Sequence, residues 1–262
     1  MRLIVADDYE GMSRMAADIV TDAVRGRPNS AVLVATGNTP MGLYTELAAR
    51  QSRREQDFSG VIAVQLDEYL GLGADDRRSL YGWMRRSFVE PLGIPNERVL
   101  RLAGDAADPE AACEAFGAAI SDMGGIDISI LGLGPNGHLG FNEPPAEADA
   151  PTRVIALTSE SIASNASYWG DAGDVPRQAM TVGMDCILAA KLTILVVSGE
   201  HKREILRQML QGPVAPNLPA SWLRMARNVV VVADRAAAGD VEVEISGGAT
   251  SGSEDPARTE AR

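Results

Sequence analysis

Six apolar runs rich in β-branched residues recur over most of the chain, and they constrain its fold more than any other feature. The runs are continuous rather than alternating, which is typical of strands buried on both faces of a parallel sheet. Helix-like stretches separate them. The predicted strands cover residues 2–5, 31–35, 61–66, 126–134, 191–199 and 228–234, and the predicted helices cover residues 9–26, 40–52, 79–92, 108–122, 159–168 and 201–211.

The alternation of strands and helices predicts the fold class. It indicates an α/β fold, a mostly parallel sheet with helices on both faces, in a Rossmann-like, doubly wound single domain. We expect this catalytic domain over residues 1–238. Residues 239–262 form an acidic, Gly- and Ser-rich stretch, which predicts a disordered tail with a weak strand signal at 241–245. Ligands of such sheets bind beyond the carboxyl ends of the strands, so the strand-to-helix turns are where a site is expected.

Charge and cysteine content restrict the partners. The formal net charge is −12 over 262 residues, which argues against nucleic acid and anionic membranes as partners. No apolar run approaches the roughly 18 residues of a membrane span, and the first residues lack a secretory pattern. Cys113 and Cys186 have no metal-ligand spacing. We interpret them as small apolar residues of a protein in the reducing cytoplasm, with a disulfide as the alternative.

The turn after the second predicted strand has the character of an anion site. It reads Thr36, Gly37, Asn38, Thr39 and Pro40. Glycine allows close approach of a ligand to the backbone, and proline fits the first helical position with Thr39 as the N-cap. Free N–H groups at a helix start favour an anion such as phosphate. A capped turn without a ligand is the alternative.

Two acidic residues, Asp67 and Glu68, follow the third predicted strand directly. Adjacent residues of a strand point in opposite directions, so we expect one carboxylate to face a cleft and the other to face solvent. A partly desolvated carboxylate has a raised pKa and suits the role of a base towards a carbon acid. The alternative is an acid that caps a helix.

The most polar turn follows the fourth predicted strand and reads "LGLGPNGHLGFNEPP" over residues 131–145. It presents Asn136, His138 and Glu143. A loop that folds back would allow the acid to orient the imidazole, as in many general-base arrangements. A structural or exposed histidine is the alternative.

A cation follows the fifth predicted strand. Lys202 starts a predicted helix and is in position to reach an anion held by residues 36–39. We expect its neighbour His201 to be exposed to solvent, because no acid is paired with it in the sequence.

Seven segments together resemble those of the glucosamine-6-phosphate deaminase (isomerase) family. They span nearly all of residues 1–235. The related 6-phosphogluconolactonases share the fold and a Gly-His turn, but they do not continue that turn as "GFNEP". In chain order the segments are "ATGNTPMGLY", "LDEYLGL", "SLYGWMRRSF", "LGLGPNGHLGFNEP", "ALTSESIASNASYW", "AMTVGM" and "VVSGEHKREIL".

The resemblance implies an aldose–ketose isomerisation of an amino-sugar phosphate coupled to loss of ammonia, without cofactor or metal. It implies that His138 moves the proton during opening of the sugar ring, supported by Glu143 and Asn136. It also implies that Asp67 takes the C2 proton and returns it to C1, after which a ketimine is hydrolysed. The enzyme would be a cytoplasmic monomer or homo-oligomer.

The sequence departs from the family pattern at the phosphate site. Ser167 stands where the family usually has an arginine that grips the phosphate, and a hydroxyl does not replace a bidentate contact. Residues 36–39 and Lys202 would then hold the anion, with Arg153, Arg177 or another arginine as candidates to compensate. Alternatively, the substrate has changed to galactosamine 6-phosphate or to an unphosphorylated amino sugar.

Two other departures concern the ring-opening turn and control. Asn136 replaces the aspartate of many members, and it can hydrogen-bond but lacks the charge. Ala146 and Glu147 replace two serines of regulated members, which favours an unregulated enzyme. A lactonase-like hydrolase and a non-catalytic sugar-phosphate-binding regulator are the alternative functions.

Overall fold

The computed structural model of the chain describes residues 1–171 and 173–241, except for the side chain of Ser167. The expected disordered tail and the weak strand at 241–245 fall almost entirely outside the described residues, and both stay predictions.

The strands are β1 (Arg2–Ala6), β2 (Ala31–Val34), β3 (Ile62–Gln65), β4 (Asp67–Tyr69), β5 (Val99–Leu100), β6 (Ile128–Gly132), β7 (Arg153–Ala156), β8 (Gln178–Thr181), β9 (Leu192–Val197) and β10 (Val229–Asp234). The α-helices are α1 (Tyr9–Gly26), α2 (Met41–Ser52), α3 (Leu80–Met84), α4 (Pro109–Asp122), α5 (Ser159–Trp169), α6 (Met184–Ala189), α7 (Arg203–Gln211) and α8 (Arg235–Ala238).

Seven strands form one parallel sheet in the order β1-β10-β9-β6-β2-β3-β5. All six predicted strands are in it, and the predicted fold class is confirmed. The chain runs from β2 outward through β3 to β5 and then returns to the other side of β2 as β6. This reversal between β2 and β6 is a topological switch point, where a crevice opens beyond the strand ends.

The core lies on both faces of this sheet because its central strands are covered on both sides. Successive residues of β2 belong to opposite faces: Leu33 packs with α4, α6 and α7, whereas Val32 and Val34 pack with α1 and α2. All four residues of β2 are buried. Burying each such side chain contributes about 1.5–3 kcal/mol, which explains why the strands are apolar throughout rather than alternating.

A second sheet has three short antiparallel strands in the order β4-β8-β7, and the sequence did not predict it. Each strand has only three or four residues, and β7 is partly exposed, so no hydrophobic period marks them. Asp67 begins β4 and pairs in register with Thr181 of β8. The acidic turn predicted after the third strand is therefore held by a sheet.

Three details of the helices differ from prediction. The predicted N-cap Thr39 is wrong, since α2 begins at Met41 and Pro40 occupies the cap position without a side-chain hydrogen bond. The helix predicted at 79–92 is α3 followed by a π-helical turn over Arg85–Val89. The helix predicted at 201–211 begins with a 3-10 turn over Glu200–Lys202. Among the described residues, no helix combines the length and apolarity needed to cross a membrane.

The two cysteines do not form a disulfide in the described part of the chain. Cys113 is buried and Cys186 is half-buried, and both are free thiols. Burial raises the pKa of Cys113 to about 11 and that of Cys186 to about 12, so both are thiols near neutral pH.

Candidate active site

Residues from four strand ends meet in one cleft at the switch point, with a volume of about 160 Å³. The turn after β2 contributes Thr36, Gly37, Asn38 and Thr39. Asp67 follows the end of β3, His138 comes from the turn after β6, and Lys202 comes from the turn after β9. The structure therefore brings together seven of the nine predicted site residues in the wall of the cleft.

The turn after β2 is braced by a residue that sequence reasoning missed. The hydroxyl of Tyr9 on α1 accepts a hydrogen bond from the Gly42 N–H at 2.8 Å and donates to the Asn38 carbonyl at 3.2 Å. Gly37 has a φ of +119°, which favours glycine. Thus the backbone of the anion turn is fixed by α1 before any ligand binds.

Lys202 is the one lysine or arginine among the described residues that line the cleft. Burial lowers its pKa to about 8. No arginine of the described residues lines the cleft, so neither Arg153, Arg177 nor another arginine takes the place of the missing one there. Arg153 donates to Asn142 Oδ1 at 2.9 Å and Arg177 is exposed, and both lie outside the cleft lining. The side chain of Ser167 lies outside the described residues.

Aromatic side chains form the opposite rim of the cleft. Tyr168 of α5 and Trp83 of α3 line the cleft with their ring centroids 5.1 Å apart at 71°. Burial raises the pKa of Tyr168, and the nearby backbone of Asn38 in the anion turn partly offsets this rise. α5 therefore closes one side of the anion site.

Asp67 has the protonation behaviour of a base that works near neutral pH. The residue is only 7% exposed. Burial, and secondarily the charge of Glu68, raise its pKa to about 8. A base with a pKa near the working pH is the most effective in proton transfer.

Glu68 is buried, at 1% exposure, so the expectation that one of the two acids faces solvent is wrong. Its carboxylate accepts four N–H hydrogen bonds of 2.8–2.9 Å, from Gln65 Nε2 and from the backbone of Tyr69, Leu80 and Tyr81. Burial raises the pKa of Glu68, whereas these donors favour the ionised form. The converging amides hold a second carboxylate directly beside Asp67.

We expect Glu68→Gln to shift the pH dependence of the reaction. Loss of the neighbouring negative charge lowers the pKa of Asp67, so Asp67 ionises at lower pH. The acidic limb of the kcat/KM profile should move down by on the order of 1 pH unit, with a lower plateau because the base is weaker. The control is Glu97→Gln, which removes the same charge from an exposed position. If the acidic limb of the kcat/KM profile is unchanged in Glu68→Gln, Glu68 does not raise the pKa of Asp67.

His138 and Glu143 form a pair beneath the cleft. The Nδ1 atom of His138 is 3.4 Å from Oε2 of Glu143, and their side chains are 16% and 8% exposed. Burial would raise the pKa of Glu143, but the hydrogen bond and charge of His138, with donors on Ser161 and Asn136, hold it at about 2. Glu143 lies behind the imidazole and is not part of the cleft lining.

Asn136 connects the pair to its own loop. Its Nδ2 donates to Glu143 Oε2 at 3.0 Å, and its Oδ1 accepts from the His138 N–H at 3.2 Å. An ionised aspartate at this position could not donate to Glu143. The asparagine of this chain therefore satisfies the acid directly, from outside the cleft lining.

Three further residues fix this pair, and sequence reasoning missed their roles. Thr158 and Ser161, at the start of α5, contact Glu143 and His138. Gly134 leaves room for the imidazole, because a Cβ at this position would lie 2.2–2.4 Å from three ring atoms of His138. The threonine had a detectable signal as a helix cap, but its contact with Glu143 joins distant parts of the chain.

The arrangement suits proton transfer at two points of one bound anion. A carboxyl base and an imidazole backed by an ionised acid face the same small cleft, and the anion turn with Lys202 forms its end. Such a set can move protons on carbon and on oxygen of a phosphorylated substrate.

Comparison with known proteins places these features in a family. The model of a family described as glucosamine-6-phosphate isomerases/6-phosphogluconolactonase matches residues 8–232. A glucosamine-6-phosphate deaminase of Thermoanaerobacter sp. (strain X514) is 38% identical over 238 residues, which cover 91% of this chain and 94% of the relative. A glucosamine-6-phosphate deaminase of Clostridium perfringens (strain ATCC 13124) is 39% identical, with coverage of 91% and 98%.

Solved structures of other proteins share the fold of this chain. The structure of a monomeric glucosamine-6-phosphate deaminase superimposes with a TM-score of 0.89 at 35% identity, covering 91% of this chain and 99% of the other. A 6-phosphogluconolactonase from Trypanosoma brucei gives a TM-score of 0.76 at 17% identity, covering 92% and 98%. The second similarity concerns the fold alone.

Proposed function

The chain belongs to the family of glucosamine-6-phosphate isomerases and 6-phosphogluconolactonases, and from this premise we propose that it is a glucosamine-6-phosphate deaminase. The reaction converts glucosamine 6-phosphate and water into fructose 6-phosphate and ammonia. The predicted resemblance to the deaminases is confirmed by relatives of 38–39% identity over 91% of the chain.

The observation that carries the proposal is the shared cleft of Asp67 and His138. Opening of a lactone requires no base for a C–H bond, whereas isomerisation at C2 does. Asp67 is nearly buried and has a pKa of about 8, as suits such a base. This favours the deaminase over the lactonase-like hydrolase.

In the proposed reaction, His138 first takes the proton of the C1 hydroxyl and returns it to the ring oxygen, which opens the sugar ring. Ionised Asp67 removes the C2 proton of the open aldehyde while the substrate's ammonium group gives a proton to O1, and an enolamine forms. Return of that proton to C1 gives a ketimine at C2. Water adds to the ketimine, the C–N bond breaks, and ammonia leaves with fructose 6-phosphate.

The protein's own residues supply the groups that each of these reaction steps needs. Glu143, held ionised, stabilises the imidazolium that forms when His138 accepts a proton. The buried position of Asp67 keeps bulk water from the carbanion-like intermediate. The anion turn and Lys202 bind the 6-phosphate and fix C1 and C2 between the two bases.

The test of the substrate compares ammonia release from glucosamine 6-phosphate, galactosamine 6-phosphate and glucosamine. We expect kcat/KM to be highest for glucosamine 6-phosphate. Lys202→Met should lower this value by about 10–100-fold, since a charge-assisted contact to phosphate is lost, and leave glucosamine unchanged. Lys191→Met is the control, because Lys191 is the only other lysine of the chain and pairs with Asp127 far from the cleft.

The outcomes separate the alternatives. Equal kcat/KM for glucosamine and its 6-phosphate would refute the phosphate site but not the deaminase chemistry. No ammonia from any amino sugar would favour the non-catalytic regulator. A place in N-acetylglucosamine catabolism, a cytoplasmic location and the oligomeric state stay predictions.

A further inference from the structure

Two hydroxyl groups at the start of α5 contact the His138–Glu143 pair from the side opposite the cleft. Thr158 occupies the N-cap of α5 and accepts a hydrogen bond from the Ser161 N–H at 3.2 Å. The same Thr158 hydroxyl donates to Glu143 Oε2 at 3.2 Å. One side chain thus caps the helix and orients the acid.

Ser161 contacts the histidine of the pair. It is fully buried, and its Oγ is 3.4 Å from Nδ1 of His138. Since the ionised carboxylate of Glu143 only accepts, the Nδ1 atom that faces it donates, and the serine oxygen beside the same Nδ1 accepts.

This arrangement fixes the position of the imidazole proton. Nδ1 of His138 faces two acceptors, Glu143 Oε2 and Ser161 Oγ, both at 3.4 Å. Nδ1 must therefore carry the proton in the neutral ring. The other nitrogen, Nε2, lies over Gly134 at the wall of the cleft and is left with its lone pair available to a substrate.

We propose that Thr158 and Ser161 are positioning residues that hold His138 as the Nδ1–H tautomer, with Nε2 as the basic atom that faces the cleft. The link to ring opening rests on the proposed function, whereas the tautomer is a property of the free protein. Further along α5, Ser164, Asn165 and Tyr168 line the cleft. The helix that forms the cleft wall therefore also sets the protonation of the base.

The experiment is ¹⁵N NMR of the imidazole rings in the full chain, labelled at histidine. The chain has only two histidines, and His201→Gln assigns the spectrum because His201 is exposed. At a pH where the ring is neutral, we expect His138 of the wild type to show a protonated Nδ1 and an unprotonated Nε2. In Ser161→Ala and Thr158→Val, we expect a substantial Nε2–H population.

Matched variants distinguish positioning from a general effect on the helix. Ser159→Ala makes the same change at an exposed position of the same turn, and Thr158→Ser keeps both the cap and the donor. Both should keep the wild-type tautomer. An Nε2–H ring in the wild type, or an unchanged Nδ1–H ring in Ser161→Ala, would overturn the proposal.

Kinetics gives a second readout that a purely structural role would not produce. In Ser161→Ala, kcat should fall about 10–100-fold with KM nearly constant, because the base is mis-protonated while the binding residues are untouched. A rise of KM with constant kcat would contradict the positioning role. The NMR result does not depend on the substrate, so a correct tautomer in a protein that releases no ammonia would refute the proposed function alone.

Discussion

Asp67→Asn is expected to abolish ammonia release while the protein stays folded and binds the sugar phosphate. An amide has the shape of the carboxylate but cannot remove a proton from carbon. The expected loss in kcat is about 10³-fold or more, at the upper range of general-base contributions, with little change in KM. Asp75→Asn, at an exposed position, is the control and should retain full activity.

The same variant should be at least as stable as the wild type. The pKa of Asp67 rises from 3.8 unfolded to about 8 in the folded protein, so the folded state binds more protons between these values. Stability contributed by this group is therefore lost as pH rises towards 8. We expect the Tm of Asp67→Asn to exceed that of the wild type by about 2–4 °C or more at pH 8, with a smaller difference at pH 5. A lower Tm at pH 8 would show that Asp67 is structural.

Gly134→Ala is expected to inactivate the enzyme by displacing its imidazole. The new methyl group would lie 2.2–2.4 Å from three ring atoms of His138, so the ring must move away from Glu143. A displacement of this size costs on the order of 10²-fold in rate, and we expect kcat/KM to fall by at least that factor. The measurement is the rate of ammonia release together with the ¹⁵N spectrum of His138.

The fold should survive this substitution, since the contacting atoms belong to a side chain and Gly134 has no positive φ. Gly26→Ala is the matched control, because a Cβ there meets no atom within 4 Å. Its activity should equal that of the wild type. Wild-type kinetics in Gly134→Ala would show that the position of the ring is not critical.

The main sheet could be predicted from the sequence because its strands are buried on both faces. Runs such as residues 31–35 then have to be apolar throughout, and a continuous run is easy to recognise. The small sheet could not be predicted. β4 and β8 are short, and their pairing of Asp67 with Thr181 joins residues that are distant along the chain.

The members of the cleft could be predicted because carboxyl ends of parallel strands meet at one edge. This logic brought residues 36–39, Asp67, His138 and Lys202 together. It could not reveal that Glu68 is buried, since four N–H donors from two segments, residues 65–69 and 80–81, converge on it. The same reasoning could not show that Arg153 points away from the anion site. The direction of a long side chain depends on its neighbours, and here the neighbour is Asn142.

The neighbours of β1 in the sheet affect how this cleft can form as the chain folds. β1 pairs only with β10 among the described strands, with Leu3 beside Val231, and α1 packs on β10. α1 also carries Tyr9, which braces the anion turn. The anion turn is therefore braced by a helix whose own support, β10, comes late in the chain, so completion of the cleft depends on slow, long-range contacts.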